Sequence, residues 1–126
     1  MDKNKVVFAS FYIAFAILLG ALGAHSLKNI LTSDQLASFE VGVRYQLFTG
    51  LALLFFGTQQ HLFAFSLKPI FRLLMIGSLL FSVSIYLLLL FSVLEIPKTA
   101  LVPLTPIGGV LMIVSWIAFA IKVFRQ

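Results

Sequence analysis

The chain has 126 residues, of which 61% are hydrophobic and 10% charged, with a net charge of +5 and no cysteine. A mean hydropathy of +1.11 excludes a water-soluble domain of this length, because so small a body has too little interior to hide that much apolar surface. The absence of cysteine excludes disulfides, thiolate metal sites and cysteine catalysis, and the nine Lys and Arg residues stand at segment ends rather than in the cluster that nucleic acid requires.

Four apolar segments meet the roughly twenty residues that a membrane helix needs. The first runs from about Val6 to Ala24, after Lys3 and Lys5, and closes in "GALGAHSL". Ala21-Leu22-Gly23 has the small-x-small form of a signal-peptide cleavage site, but the apolar run exceeds the roughly 7 to 15 residues of a leader, so a retained span is expected. Ala16, Gly20 and Ala24 recur every four residues and offer a close-packing face. Gly23 permits close approach and loosens the helix before the membrane surface. His25 falls at the outer boundary, either as a neutral interfacial ring or as a proton-responsive or ligand-contacting group.

Thr32 and Gln35 have capping-box spacing and predict a helix start ahead of the second span, with Leu36, Phe39 and Val43 along one interfacial stripe. The second span covers about Val41 to Gln60. Within it Gly42, Gln46, Thr49, Gly50, Leu53, Gly57 and Gln60 share one arc at 100° per residue. Glu40 and Arg44 point away from that arc, spaced i to i+4 with the acid first, the better orientation for a helical pair. Sixteen uncharged residues separate Arg44 from His61, about 24 Å of helix. That is less than the ~30 Å of a hydrocarbon core. Arg44 therefore sits just inside the outer boundary and snorkels outward. His25, Glu40, Arg44, Tyr45 and Gln46 are the candidate contacts for a lipid or another ligand. Two plainer readings stand beside this one: anchoring by Arg44 alone, and a structural polar cluster with His25 and Tyr45.

The third span covers about Pro69 to Leu94, with Gly77, Ser78 and Ser82 on a broad small-residue arc, and the fourth about Pro106 to Val123. Thr105 reads as a side-chain cap with Pro106 at the first helical position. Gly108, Gly109, Met112 and Ser115 then form the fourth small face. The expected helix-packing residues are thus Ala16, Gly20, Ala24, Gly50, Gly57, Gly108 and Gly109. The expected fold is all-α, an antiparallel four-helix membrane bundle forming a single domain over residues 1–126. With the N-terminus inside, Lys3, Lys5, Lys68, Arg72, Lys122 and Arg125 are cytoplasmic. Lys28 and Lys98 lie outside, with Arg44 near the boundary, so both termini are expected in the cytoplasm.

Catalytic chemistry finds no foothold. Ser82, Ser84 and Thr105 lack an adjacent histidine and acid, no phosphate loop, dinucleotide fingerprint or metal-helix motif occurs, and the two histidines are 36 positions apart. No enzyme activity, cofactor or metal is expected. The expected partners are the lipid bilayer and either further copies of the chain or a larger membrane complex, and no nucleic acid. Two functional classes remain: a non-catalytic bundle that assembles with itself or a membrane complex, and lipid, small-molecule or ion handling at the outer polar end.

The blocks "LGALGAHSL", "VRYQLFTGLALL", "FSVSIY" and "TPIGGVLMIVSW" stand in the order and spacing of a family of small four-pass membrane proteins. The chain resembles that family, catalogued as domain of unknown function four-two-three, over nearly its whole length. The family has bacterial inner-membrane members and a related small eukaryotic transmembrane protein. The resemblance implies the four-span fold and a bacterial plasma (inner) membrane setting, and it brings no activity, catalytic residue or cofactor. The chain departs from the family at Thr49, where a histidine is usual, and at Gly50, where an alanine is usual. Val83 and Ser115 stand where glycine is frequent. A histidine strictly required at position 49 would leave this member inactive, which speaks against such a role.

Overall fold

A computed structural model of the chain describes all 126 residues. It contains four long helices, α1 (Lys3–His25), α2 (Ser33–Thr58), α3 (Lys68–Val93) and α4 (Leu104–Arg125), with short 3₁₀ turns at Leu27–Asn29 and Gln60–Leu62. Each long helix is long and apolar enough to cross a membrane.

Local chemistry sets the helix ends. Asp2 caps α1, accepting from the Lys5 backbone N–H at 3.4 Å and lying 3.4 Å from the Lys5 ammonium. That backbone bond, aided by the ammonium, holds the Asp2 carboxyl below its ordinary value. Thr32 and Gln35 form the expected capping box, so α2 begins at Ser33, one helical stretch ahead of its apolar segment. The start of α4 differs from the expectation. Helix begins at Leu104, and Thr105 lies inside the first turn with its hydroxyl on that of Ser84 in α3. A partner across the helix interface has displaced the local cap. Pro106 then occupies the third helical position, where an N–H would lack an intrahelical partner anyway. At the other end of this connection α3 closes in a Schellman turn. Ile96 N–H donates to Phe91 O at 2.9 Å, Glu95 N–H donates to Ser92 O at 3.3 Å, and Glu95 adopts φ 57°.

Successive helices are antiparallel neighbours, with α1 packed along α2, α2 along α3 and α3 along α4, while α1 and α4 share no seam. Side chains close the two remaining sides, α1 to α3 and α2 to α4. The Tyr12 hydroxyl on α1 reaches Ser78 on α3, and Phe56 on α2 meets Trp116 and Phe119 on α4 at ring separations of 5.7 and 5.1 Å. The cross-section is therefore a rhombus, with α2 and α3 in the middle and α1 and α4 at the far corners. Large apolar side chains such as Phe11, Phe15, Phe48, Ile113 and Ile117 cover the outside, as a lipid environment requires.

The seams follow a seven-residue repeat. On α2 the buried positions Phe39, Gly42, Gln46, Thr49, Leu53 and Phe56 alternate in steps of three and four, and on α1 Ala9, Ala16 and Gly23 recur every seven. Such a repeat is that of left-handed helix crossing. It also explains how the face of α1 differs from the one expected. Steps of four residues drift by about 40° each around a helix, whereas steps of seven drift by only about 20°. Ala16 is accordingly buried, Gly20 half-buried and Ala24 exposed. Gly23 ends the seam instead: a Cβ there would stand 2.8 Å from the Phe39 ring. Because α1 stays helical through His25, Gly23 serves close approach and not the expected loosening.

Gly50 and Gly57 admit α1 in the same way, facing Ile13 and the Lys5–Val6 stretch at 2.7 and 3.2 Å from a would-be Cβ. The α3–α4 crossing is tighter still. A Cβ on Gly108 would overlap the Phe81 nitrogen and lie 2.5 Å from the Gly77 carbonyl oxygen, so the two backbones touch. Gly109 meets only the Phe81 ring, at 3.7 Å.

Both termini lie at the end of the bundle that carries the α2–α3 connection. Asp2 N–H donates to Gly57 O at 2.9 Å, and Ala64 N–H donates to Gln126 Oε1 at 3.0 Å. The Gln60 side chain clasps this connection, donating to Phe65 O and accepting from Leu67 N–H.

Candidate functional site

Gln46 follows Arg44 by two residues, about 200° around the helix, and this turn carries it from the surface into the core. It is only 4% exposed. Its Nε2 donates to the Tyr12 carbonyl oxygen at 2.9 Å, and its Oε1 accepts from the Tyr86 hydroxyl at 2.7 Å. The Tyr12 and Ser78 hydroxyls are paired at 2.7 Å, and the Ser82 hydroxyl donates to Gly42 O at 2.8 Å. Gly42 makes room for the Tyr86 ring, which would lie 2.9 Å from a Cβ. This network joins α1, α2 and α3 inside the apolar layer, where each interhelical bond is worth about 1 kcal/mol. Every buried side-chain nitrogen and oxygen has a partner. The members are phenols, an amide and hydroxyls, which can fix helix positions and supply no neutral-pH acid or base.

Sequence reading did not single out Tyr12. The usable signal was its place between Ala9 and Ala16 at spacings of three and four, which puts a polar-tipped aromatic on the small face of α1.

The five candidate contact residues are dispersed among three surroundings. His25, Glu40 and Arg44 are exposed at the end opposite the termini. The chain's salt bridge joins Asp2 and Lys5, and none joins Glu40 to Arg44. Tyr45 turns toward α3, its ring edge-on to Phe81 at 5.1 Å. Gln46 belongs to the core network. No three His, Cys, Asp or Glu residues gather in metal-binding proximity.

Tyr45 stands on the rim of a lateral groove of about 440 Å³ between α2, α3 and α4, lined also by Thr49, Phe81, Met112 and Trp116. Thr49 is the buried polar residue of this groove, with its hydroxyl 3.8 Å from the Met112 sulfur.

Four apolar helices with an uncharged, internally bonded polar interior define a small multi-pass integral membrane protein. Residues 19–109 match the family described as "Protein of unknown function (DUF423)", and the chain belongs to it. It is similar to a UPF0382 membrane protein of Staphylococcus saprophyticus, 33% identical over 98% of each chain. It is also similar to one from Haemophilus influenzae, 36% identical over 89% of this chain and 86% of the other. No solved structure matches it.

Proposed function

We propose that the protein is a non-catalytic bundle of the bacterial plasma (inner) membrane, with both termini cytoplasmic, that assembles with a second copy of itself through the outward face of α1. One observation carries this reading. Ser10, Ala14, Ile17, Ala21 and Ala24 are all exposed and alternate in steps of four and three. That is the spacing of the buried seams within the bundle, and all but Ile17 are small enough for close helix approach. A two-fold pair places this face against itself. The non-catalytic part rests on the core network, whose polar groups are spent on one another. The orientation rests on Lys3, Lys5, Lys68, Arg72, Lys122 and Arg125, which gather at the end that carries the termini. The membrane setting agrees with relatives named as membrane proteins.

The chain has no cysteine, so single substitutions report contacts without background. Ala14→Cys and Ala21→Cys on α1, and Val110→Cys and Ile117→Cys on the exposed face of α4, are to be oxidised in native membranes. Disulfide-linked dimers of the α1 variants alone support the reading. Dimers of the α4 variants alone, or a link to a different protein in place of a second copy, would count against it.

A further inference from the structure

Hydroxyls on these helices either turn back to a backbone carbonyl one turn earlier, as Ser10, Thr58, Ser92 and Ser115 do at 2.8 to 3.0 Å, or pair with an oxygen on a neighbouring helix, as Ser78, Ser82 and Thr105 do. Thr49 does neither. It is only 5% exposed, and its hydroxyl has as partner a thioether sulfur at 3.8 Å, a weak acceptor. Thr49 lines the lateral groove together with Tyr45 and Trp116, two residues that each carry a further donor and are nearly half exposed. No Lys, Arg, His, Asp or Glu lines the groove. The surroundings thus suit an uncharged, flat ligand with an oxygen acceptor, and 440 Å³ is within the size range of small-ligand pockets.

Depth narrows the class. Thr49 follows Arg44 by five residues, about 7.5 Å further into the membrane. An ester carbonyl of a glycerolipid with a charged headgroup lies near the boundary, and bringing it down to Thr49 would drag that headgroup into hydrocarbon. A carbonyl on an uncharged ring with an aliphatic chain meets no such cost. We propose that the groove between α2, α3 and α4 binds a quinone-type lipid, its ring between Phe81 and Trp116 and one carbonyl oxygen accepting from the Thr49 hydroxyl. The role assigned to the groove is to hold the ring. This site is separate from the outward face of α1 and stands whether or not the protein self-associates.

Trp116 is the chain's single tryptophan, so its fluorescence reports the groove directly. Protein in nanodiscs is titrated with a decyl-substituted benzoquinone, alongside Thr49→Val, Thr49→Ser and a dioleoylglycerol competitor. The expected result is saturable quenching, weakened about tenfold in Thr49→Val through loss of one hydrogen bond and retained in Thr49→Ser. Thermal stability of Thr49→Val should match the parent, because the sulfur contact is weak. Quenching that rises linearly without saturation would overturn the proposal. So would quenching equally strong in Thr49→Val, or displacement of the quinone by dioleoylglycerol at equal mole fraction.

Discussion

A single methyl group at Gly108 is expected to part α3 from α4. The added Cβ overlaps the Phe81 nitrogen and lies 2.5 Å from the Gly77 carbonyl oxygen. Both are backbone atoms, so no change of rotamer relieves the contact. Restoring an ordinary separation of 3.4 Å moves the helices apart by about 0.9 Å. A gap of that order forfeits roughly a quarter to a half of the dispersion energy between facing atoms. Overpacked interiors lose about 1–3 kcal/mol, and a backbone clash puts Gly108→Ala at the upper end, about 3 kcal/mol. The adjacent glycine is the control. A Cβ on Gly109 makes ordinary contact with the Phe81 ring at 3.7 Å, and alanine is the better helix former by up to about 1 kcal/mol. Gly109→Ala should therefore be neutral or slightly stabilising. Reversible unfolding of both variants in mixed micelles by SDS titration, followed by circular dichroism, measures the difference. Equal effects, or greater damage from Gly109→Ala, would refute the backbone contact.

Gly50→Leu should destabilise far more than Leu51→Ala in detergent thermal scans, because Gly50 faces Ile13 at 2.7 Å from a would-be Cβ while Leu51 is half exposed; equal effects would mean that α2 presents a different face. Gln46→Leu and Tyr86→Phe should each cost about 1 kcal/mol, and the double variant should cost less than their sum, because they share one bond. Additive losses would deny that bond. Glu95→Gly should stabilise by about 1 kcal/mol in denaturant unfolding, since φ 57° strains a residue with a side chain; no gain would deny the left-handed backbone there. Reporter fusions at Met1 and Gln126 should both read as cytoplasmic, and a periplasmic signal from either end contradicts the orientation.

Hydropathy made the four helices legible, and cap chemistry made Thr32 and Gln35 legible, because both depend on residues close together in sequence. The arc of α2 was readable for the same reason: Gly42, Gln46, Thr49, Gly50, Leu53 and Gly57 are all buried. Gln60, placed on that arc by extrapolation, lies past the end of the helix and clasps the loop instead. The first helix was harder to read. Ala16, Gly20 and Ala24 satisfy a four-residue rule, but an extended seam selects the seven-residue repeat that ends at Gly23. Sequence spacing also gave equal standing to Gly108 and Gly109, which the α3 backbone separates into a tight crossing and an open contact. The candidate site was legible only as a list of residue types. Nearness along the chain grouped Gln46 with Arg44, although helical rotation sends them to opposite surroundings. The partners of Gln46 and Thr49 are tens of residues away, on helices whose relative placement no local pattern encodes.

The distribution of bonds within the core network has a consequence for synthesis. The bond from Gln46 to Tyr12 lies within the first pair of helices, whereas Tyr12 to Ser78, Tyr86 to Gln46 and Ser82 to Gly42 all wait for the third. Until α3 enters the membrane, the Tyr12 hydroxyl and the Gln46 amide oxygen face hydrocarbon without a partner, at several kcal/mol each if nothing satisfies them. With α1 and α2 alone in the bilayer, only the Gln46 to Tyr12 bond of this network can form, so α3 supplies the larger share of its pairing. The contacts that fasten the finished bundle thus leave the polar groups of its first half dependent on the arrival of its second.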